Sequence, residues 1–213
     1  MSNPERPTRP ALSREYILHT ALRIVDRDGP DKLTMRRLGA ELGVDPMAVY
    51  HYLPNKAALF DGITEAIWAS LDLDDVIDPG SSWQRQLAAA MHALRDALRA
   101  HPRAIAILGT RPVTGRELFA LLDRMLGVLI AAGMPADADT ADLLDVLVTY
   151  TIGHVLAEVG EPMGAGSAPT LHQTLSGQAY PHLAAVLDSG WAFDPDAQYD
   201  RGLNAILTGW QHP

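Results

Sequence analysis

Apolar positions recur at helical spacing along most of the chain, and no stretch alternates with period two over a useful length. Ile17, Ala21, Leu22 and Val25 fall on one face of a first helix. Ser13 is placed to cap it, and Asp28-Gly29-Pro30 stops it. Thr34 is a cap for a second helix over Met35–Leu42, with Gly43 as the turn behind it. Asp45 caps a third, whose first position is Pro46, where no N–H partner is needed. A fourth begins near Asn55 and passes Trp68 towards Leu71. An acidic loop with Pro and Gly covers residues 72–82, after which Leu87, Met91, Leu94 and Leu98 mark a helix over Trp83–Ala100. His101-Pro102 breaks it, a short apolar helix follows, and Gly109-Thr110-Arg111-Pro112 turns the chain. Further helical patterns cover about 115–132, Ala138–Val159, 181–189 and 195–211, while 160–177, rich in Gly, Pro and Ser, reads as a flexible excursion. The pattern predicts an all-α protein of nine or ten helices without an internal repeat.

Composition narrows the class. The chain has 213 residues, 47% of them hydrophobic, enough for a substantial core. No run approaches the roughly 18 uninterrupted apolar residues of a membrane helix, and MSNPERPTRP lacks the apolar segment of a signal peptide. Without cysteine there are no disulfides, thiol nucleophiles or thiolate metal sites. A cytoplasmic protein with no membrane association is the expectation. The net charge of −9 is unevenly spread: residues 1–60 carry +2 and the remainder −11. Repulsion of phosphate by the acidic part confines nucleic-acid contact to the N-terminal part.

Residues 33–56, LTMRRLGAELGVDPMAVYHYLPNK, hold two short helices around a glycine turn. In that arrangement the second helix lies in the major groove of DNA while the first braces it. The domain reading is a DNA-binding helix-turn-helix part over 1–60, with 1–11 as a mobile arm, and a larger helical part over 61–213 joined to it by the long fourth helix.

Tyr50-His51-Tyr52 and Pro54-Asn55-Lys56, with the Ala-Leu-Phe-Asp run just beyond, strongly resemble the DNA-binding domain of the tetracycline-repressor family. Ser82-Trp83-Gln84, His101-Pro102 and Leu108-Gly109-Thr110-Arg111-Pro112 resemble the regulatory domain of its tetracycline-binding members. The resemblance implies a homodimeric regulator of transcription, a repressor, whose affinity for a double-stranded DNA operator is lowered by a small-molecule effector. It implies no cofactor.

The DNA-reading candidates are Thr34, Met35, Arg36, Pro46, Met47, Ala48, Tyr50, His51, Tyr52 and Lys56. Thr34 both caps its helix and sits at a helix N-terminus, which suits phosphate. Arg36 has the reach for a phosphate or for bidentate bonding to a guanine edge, and by resemblance matches a base-contacting arginine. Tyr50, Tyr52 and Lys56 match phosphate-holding positions, while Met47, Ala48 and His51 face the groove. Met47 and Ala48 lack directional donors and would read thymine methyls or shape, so base specificity rests on Arg36 with His51 assisting. Tyr50 also fits a core role, and Val49 and Leu38 are core. Arg37 reads as a solvated charge, and Arg6 and Arg9 as a disordered tail rather than minor-groove contacts. One such module makes few contacts, so two copies on a palindrome are expected, with half-sites about 34–36 Å apart. Leu143, Leu144, Leu147, Val148 and Val155, with Leu203, Ile206, Leu207 and Trp210, form the two stripes expected to build a dimeric four-helix bundle; the other reading places them in the monomer core.

For the effector, the expected lining is Trp68, Met91, Leu94, Ile107, Thr110, Arg111, Met125, Leu147 and Thr151. In tetracycline-binding members a histidine before the Leu-Gly-Thr-Arg-Pro turn holds a drug-bound magnesium ion. That position is Ile107 here, which cannot ligate metal, and Asp72, Ala90 and Leu94 stand where other anchors of the drug are expected. The expected effector is therefore small and largely apolar rather than tetracycline–magnesium. Arg111 either meets an anionic or carbonyl-bearing ligand or ties the turn to an acidic neighbour.

Two other function classes fit the chain less well. A metal-dependent enzyme is disfavoured: no HExxH occurs, and His92, His101, His154 and His172 show no tight ligand spacing. The serines lack a nucleophile-elbow context. A helical protein-interaction module without operator binding would fit loss of Arg36 or Lys56, yet both are present.

Overall fold

The computed structural model describes residues 11–71, 78, 80–111, 115–159, 180–190 and 194–210. The arm at 1–10, Asp72, Pro112 and the 160–177 segment lie outside them. Among the described residues there are ten α-helices and no strand. They are α1 (Arg14–Asp28), α2 (Met35–Leu42), α3 (Pro46–Tyr50), α4 (Lys56–Ala69), α5 (Trp83–Ala100), α6 (Ile105–Leu108), α7 (Arg116–Ala131), α8 (Ala138–Val159), α9 (Pro181–Asp188) and α10 (Pro195–Gly209).

The N-terminal helices begin where their caps dictate. Ser13, Thr34, Asp45 and Asn55 each take extended backbone and accept a hydrogen bond from an N–H of the first turn. α2 ends at Gly43, whose φ of 69° and ψ of 34° are the left-handed conformation that glycine takes without a Cβ penalty. Val44 N–H then reaches back to Gly39 O, which sharpens the turn into α3. Ile17, Ile24, Leu38, Val49 and Leu53 close a small core between these helices.

α4 belongs to both parts of the molecule. Its Leu59 and Ile63 are buried beside α1, while Trp68 and the following Leu71 are buried in the larger part. A Cβ at Gly62 would be driven into the Leu18 side chain, which would have to shift to admit it.

In the larger part α5 packs along α8, and α10 packs against both. Leu143, Leu147, Val155, Leu203 and Leu207 are buried within the single chain. For these five the monomer-core reading holds, while Leu144, Val148, Ile206 and Trp210 of the same stripes are half-buried. α8 is apolar on most of its circumference, and spacing alone does not say which side meets its own chain. Its outward side carries Val146 and Leu156, 40% and 49% exposed. By length and composition α8 also qualifies as a membrane span. The burial of its inner face and the exposed Asp142 and Asp145 instead fit the core helix of a bundle.

Candidate functional site

The N-terminal surface gathers helix starts and exposed side chains. Thr34 Oγ1 accepts from Arg37 N at 3.2 Å and Asp45 Oδ1 from Met47 N at 2.8 Å. Asn55 Oδ1 accepts from Ala58 N at 2.8 Å, which starts α4 directly at Lys56. Met47 is 63% exposed, and Thr34, Arg36, Tyr50, His51, Tyr52 and Lys56 are also exposed, with Pro46 and Ala48 half-buried. Val49 alone of α3 is buried and pins the helix from beneath. Arg36 makes no ion pair among the described residues, so its guanidinium is free to meet a ligand. Its neighbour Arg37 is not a simple solvated charge: Asp28 holds it at 2.5 Å, and Asp28 also binds Arg27, which reaches Glu41.

Two candidates have other engagements. Met35 is buried, so its side chain faces the core and cannot touch a groove, a correction to its place among the DNA-reading residues. It follows the cap directly, and position N1 points inward here because α2 leans on α1. The Tyr52 hydroxyl donates to the Leu12 carbonyl at 2.9 Å, linking the end of α3 to the approach to α1. Lys56 lies with its ammonium 5.1 Å from the Phe60 ring centroid.

Inside the larger part lies a small, almost wholly apolar cavity of about 40 Å³, lined by Trp68, Leu71, Ala90, Met91, Leu94, Leu121, Leu122, Met125, Leu144 and Val148. Trp68, Met91, Leu94 and Met125, four of the residues named for the effector, line it. Ile107, Thr110, Arg111, Leu147 and Thr151 do not line it. Ile107 and Leu147 are buried core residues. Thr110 donates to the Ala106 carbonyl at 2.8 Å. Arg111 meets Asp61 of α4 at 2.5 Å, the acidic-neighbour alternative. Thr151 is 2.9 Å from the Tyr199 hydroxyl. Two wider surface grooves, about 450 and 510 Å³, flank α4 and share Glu65 and Ala69.

Sequence reasoning missed the polar cluster beside this cavity. Tyr199 is fully buried, donates to Met91 O at 3.0 Å, and stacks on Tyr150 at a centroid distance of 5.5 Å. Burial pushes its phenol up to about 12. Arg95 lies 4.7 Å over the Tyr199 ring and pairs with Glu158 at 2.9 Å and Asp196 at 2.8 Å. Burial opposes the charge of Arg95, but the hydrogen bonds to Glu158 and Asp196 outweigh it and hold the guanidinium charged. Those bonds in turn lower the Asp196 carboxyl. Burial, then the Arg95 charge, lowers His154, which meets the Tyr199 ring edge-on at 5.2 Å. A single arginine within the apolar pattern of α5 was the one available sign.

A helix-turn-helix with an exposed surface, set on a larger helical body, is the architecture of a DNA-binding regulator. Comparison with known proteins places it further. The family model described as "Bacterial regulatory proteins, tetR family" matches residues 17–63, and "Tetracyclin repressor-like, C-terminal domain" matches 78–212. The chain belongs to the tetracycline-repressor family of transcriptional regulators, and its relatives are regulators rather than enzymes.

It is 32% identical to the Tetracycline repressor protein class A from transposon 1721 of Escherichia coli, over 93% of this chain and 90% of that protein. It is 30% identical to an HTH-type transcriptional regulator of Saccharopolyspora erythraea, over 95% and 86%. Among solved structures it is similar to the Streptomyces coelicolor TetR family protein ActR in complex with actinorhodin. That match has a TM-score of 0.79 and 26% identity, covering 94% of this chain and 97% of that one.

Proposed function

We propose that the protein represses transcription by binding a palindromic operator as a homodimer and is released by a small, largely apolar effector, without a cofactor. The observation that carries this reading is the surface of exposed Arg36, Met47 and His51 with half-buried Ala48 among them, flanked by the phosphate-suited helix starts at Thr34 and Lys56. Residues 1–60 do the reading; 61–213 hold the effector and the dimer contact, with α4 spanning both. Tyr50 and Tyr52 add hydroxyls at the same surface. Such a protein works in the compartment that holds the DNA.

For the dimer, the support is the outward face of α8, where Val146, Thr149, Gly153 and Leu156 are exposed on a helix already packed on its other side. A second copy of the same face gives a self-complementary contact. For the effector, the support is the apolar lining of the cavity and the replacement of a metal-binding side chain by Ile107. Drug-sized ligands fill roughly 300–1,000 Å³, so a cavity of about 40 Å³ must open to admit one. Trp68 and Leu71 are part of that wall. Opening therefore acts on α4, which carries Lys56 at its other end, and the effector lowers DNA affinity to the extent that it binds the opened state better.

The test is selection of duplexes from a random pool, followed by titration of the selected operator at fixed salt. Arg36→Ala should weaken specific binding by about 1–3 kcal/mol and relax one position of the site. Unchanged affinity and sequence preference would remove Arg36 from its role.

A further inference from the structure

α1 ends at Arg27-Asp28, and the first turn of α2 carries Arg36 and Arg37. Asp28 Oδ2 accepts from Arg37 Nη2 at 2.5 Å and from Arg27 Nε at 2.7 Å. The rest of the Arg27 fork lies on Glu41, with Nη1 and Nη2 at 3.2 and 3.3 Å from its two carboxylate oxygens. Arg37 and Glu41 are four residues apart on one side of α2, so four linked charges run along that side. Hydrogen bonding from Arg27, then charge from Arg27 and Arg37, holds the Asp28 carboxyl below the ordinary carboxylate range. Arg36, about 100° round the helix from Arg37, is exposed and makes no ion pair among the described residues.

Neither partner of the Arg37–Asp28 pair suits the helix end on which it sits. A carboxylate at the end of α1 and a cation in the first turn of α2 each oppose the dipole of their own helix. What the pair changes is the charge offered to DNA. The Arg37 backbone N–H donates to Thr34 Oγ1 at 3.2 Å, so Arg37 springs from the turn that faces DNA under the proposed function. An unpaired guanidinium there would reach for phosphates, and phosphate contacts add affinity without sequence information. We infer that Asp28 is a specificity-determining residue: it withholds Arg37 from the DNA backbone, so that this turn offers DNA the Arg36 guanidinium alone. Asp28 touches neither base nor phosphate and acts through Arg37. The hold is firmer than an isolated surface pair, because Asp28 is itself fixed by Arg27 and Arg27 by Glu41. The inference rests on the proposed reading of DNA by Arg36; neither the dimer nor the effector need be known.

Salt titration is the test, since each neutralised phosphate steepens the fall of log affinity with log salt by about 0.9. The full chain is titrated by fluorescence anisotropy against its selected operator and against a duplex of scrambled sequence. In Asp28→Ala the slope on the scrambled duplex should steepen by about 0.9 for each chain bound. Affinity for that duplex should rise on the order of threefold at low salt. The gain should be smaller on the operator, where base contacts fix the register, so preference for the operator falls. Asp28→Asn, which keeps the side-chain shape and serves should Asp28→Ala fold poorly, should shift both readings in the same direction. Arg37→Gln alone should leave the slopes of the parent, and adding it to Asp28→Ala should remove the extra slope. A flatter slope in Arg37→Gln would overturn the inference, because Arg37 would then already hold a phosphate in the parent. So would slopes that neither Asp28 variant moves. Extra slope that survives in the double variant would also overturn it, since the gain is then lost repulsion rather than a released Arg37. A parent that binds neither duplex would remove the proposed reading as well, which sets the two failures apart.

Discussion

Removing the charge from Arg95 should destabilise the larger part of the molecule more than removing the whole ion pair. Arg95 and Glu158 side chains are 5% and 8% exposed and meet at 2.9 Å. Arg95→Met keeps the apolar reach but leaves the Glu158 carboxylate in the core. Breaking a buried pair from one side costs about 3–5 kcal/mol. Arg99 still reaches Glu158 at 3.0 Å, from a partly exposed position, and that residual partner sets the expectation at about 3 kcal/mol, the low end. The double variant Arg95→Met with Glu158→Leu removes both desolvated charges. Replacement of a buried pair by apolar groups runs from neutral to stabilising by about 1–4 kcal/mol. Loss of the guanidinium over the Tyr199 ring offsets about 0.5–2 kcal/mol of that gain, so the double variant should lie near the parent. Asp196 and Arg99, each left short of a partner, are exposed enough for water to serve. Urea unfolding reads the difference, at one fixed protein concentration because association shifts apparent stability. With a slope near 2 kcal/mol per molar, the single variant should lose about 1.5 M in midpoint. A single variant within about 1 kcal/mol of the parent, or a double variant as weak as the single, would refute the reasoning.

Two further outcomes are expected. His154 is held below its ordinary value by burial and by Arg95, and it faces Glu158, Asp196, Tyr150 and Tyr199 as well. The folded protein keeps it neutral where the unfolded chain, with a value near 6.5, takes up a proton. Its contribution is complete above about pH 6.5 and is lost as pH falls from there through the folded value; urea midpoints from pH 7.5 to 5 should fall less steeply in His154→Gln, and parallel curves would exclude His154. Leu156→Asp, on the exposed side of α8, should alter stability of the separate chain by no more than about 0.5 kcal/mol. It should nonetheless convert a dimer into a monomer in sedimentation; a variant still dimeric at micromolar concentration would exclude that face.

The parts of this fold that were legible in the sequence are those decided locally. Ser13, Thr34, Asp45 and Asn55 are caps whose hydrogen bonds span three residues or fewer, and each starts its helix where its neighbours say it should. Exposed candidates such as Arg36 and His51 could be placed because Leu38 and Val49 fix which sides of α2 and α3 face inward. Met35 was the exception, since a one-position choice at a helix start depends on how the helix leans. The larger part was less legible because its contacts are distant in sequence. Arg95 and Glu158 lie 63 residues apart, and Met91 and Tyr199 lie 108 apart. Nothing local to either partner announces the other. The stripe of α8 was ambiguous for a different reason. A helix apolar on both sides supports two assignments, and only packing gave Leu143, Leu147 and Val155 to the chain's own core.

α4 shows how these two kinds of legibility meet in one element. Its first turn was readable from Asn55 and Lys56. Its last turn was assigned to the effector wall through Trp68, which does line the cavity. Between them lies the turn that carries Arg111, for which the sequence left both a ligand and an acidic neighbour open. Resemblance to drug-binding relatives drew Ile107, Thr110 and Arg111 into the effector site as a group. Once Ile107 cannot hold a metal, however, nothing in the turn needs to face a ligand. The Asp61 carboxylate supplies Arg111 with a counter-charge inside the chain, at 2.5 Å. A side chain so satisfied gives up that partner only for a ligand that offers an equally good anion, and an apolar effector offers none. The pair therefore commits Arg111 to Asp61 of α4 within the chain, and that commitment does not depend on which effector is bound.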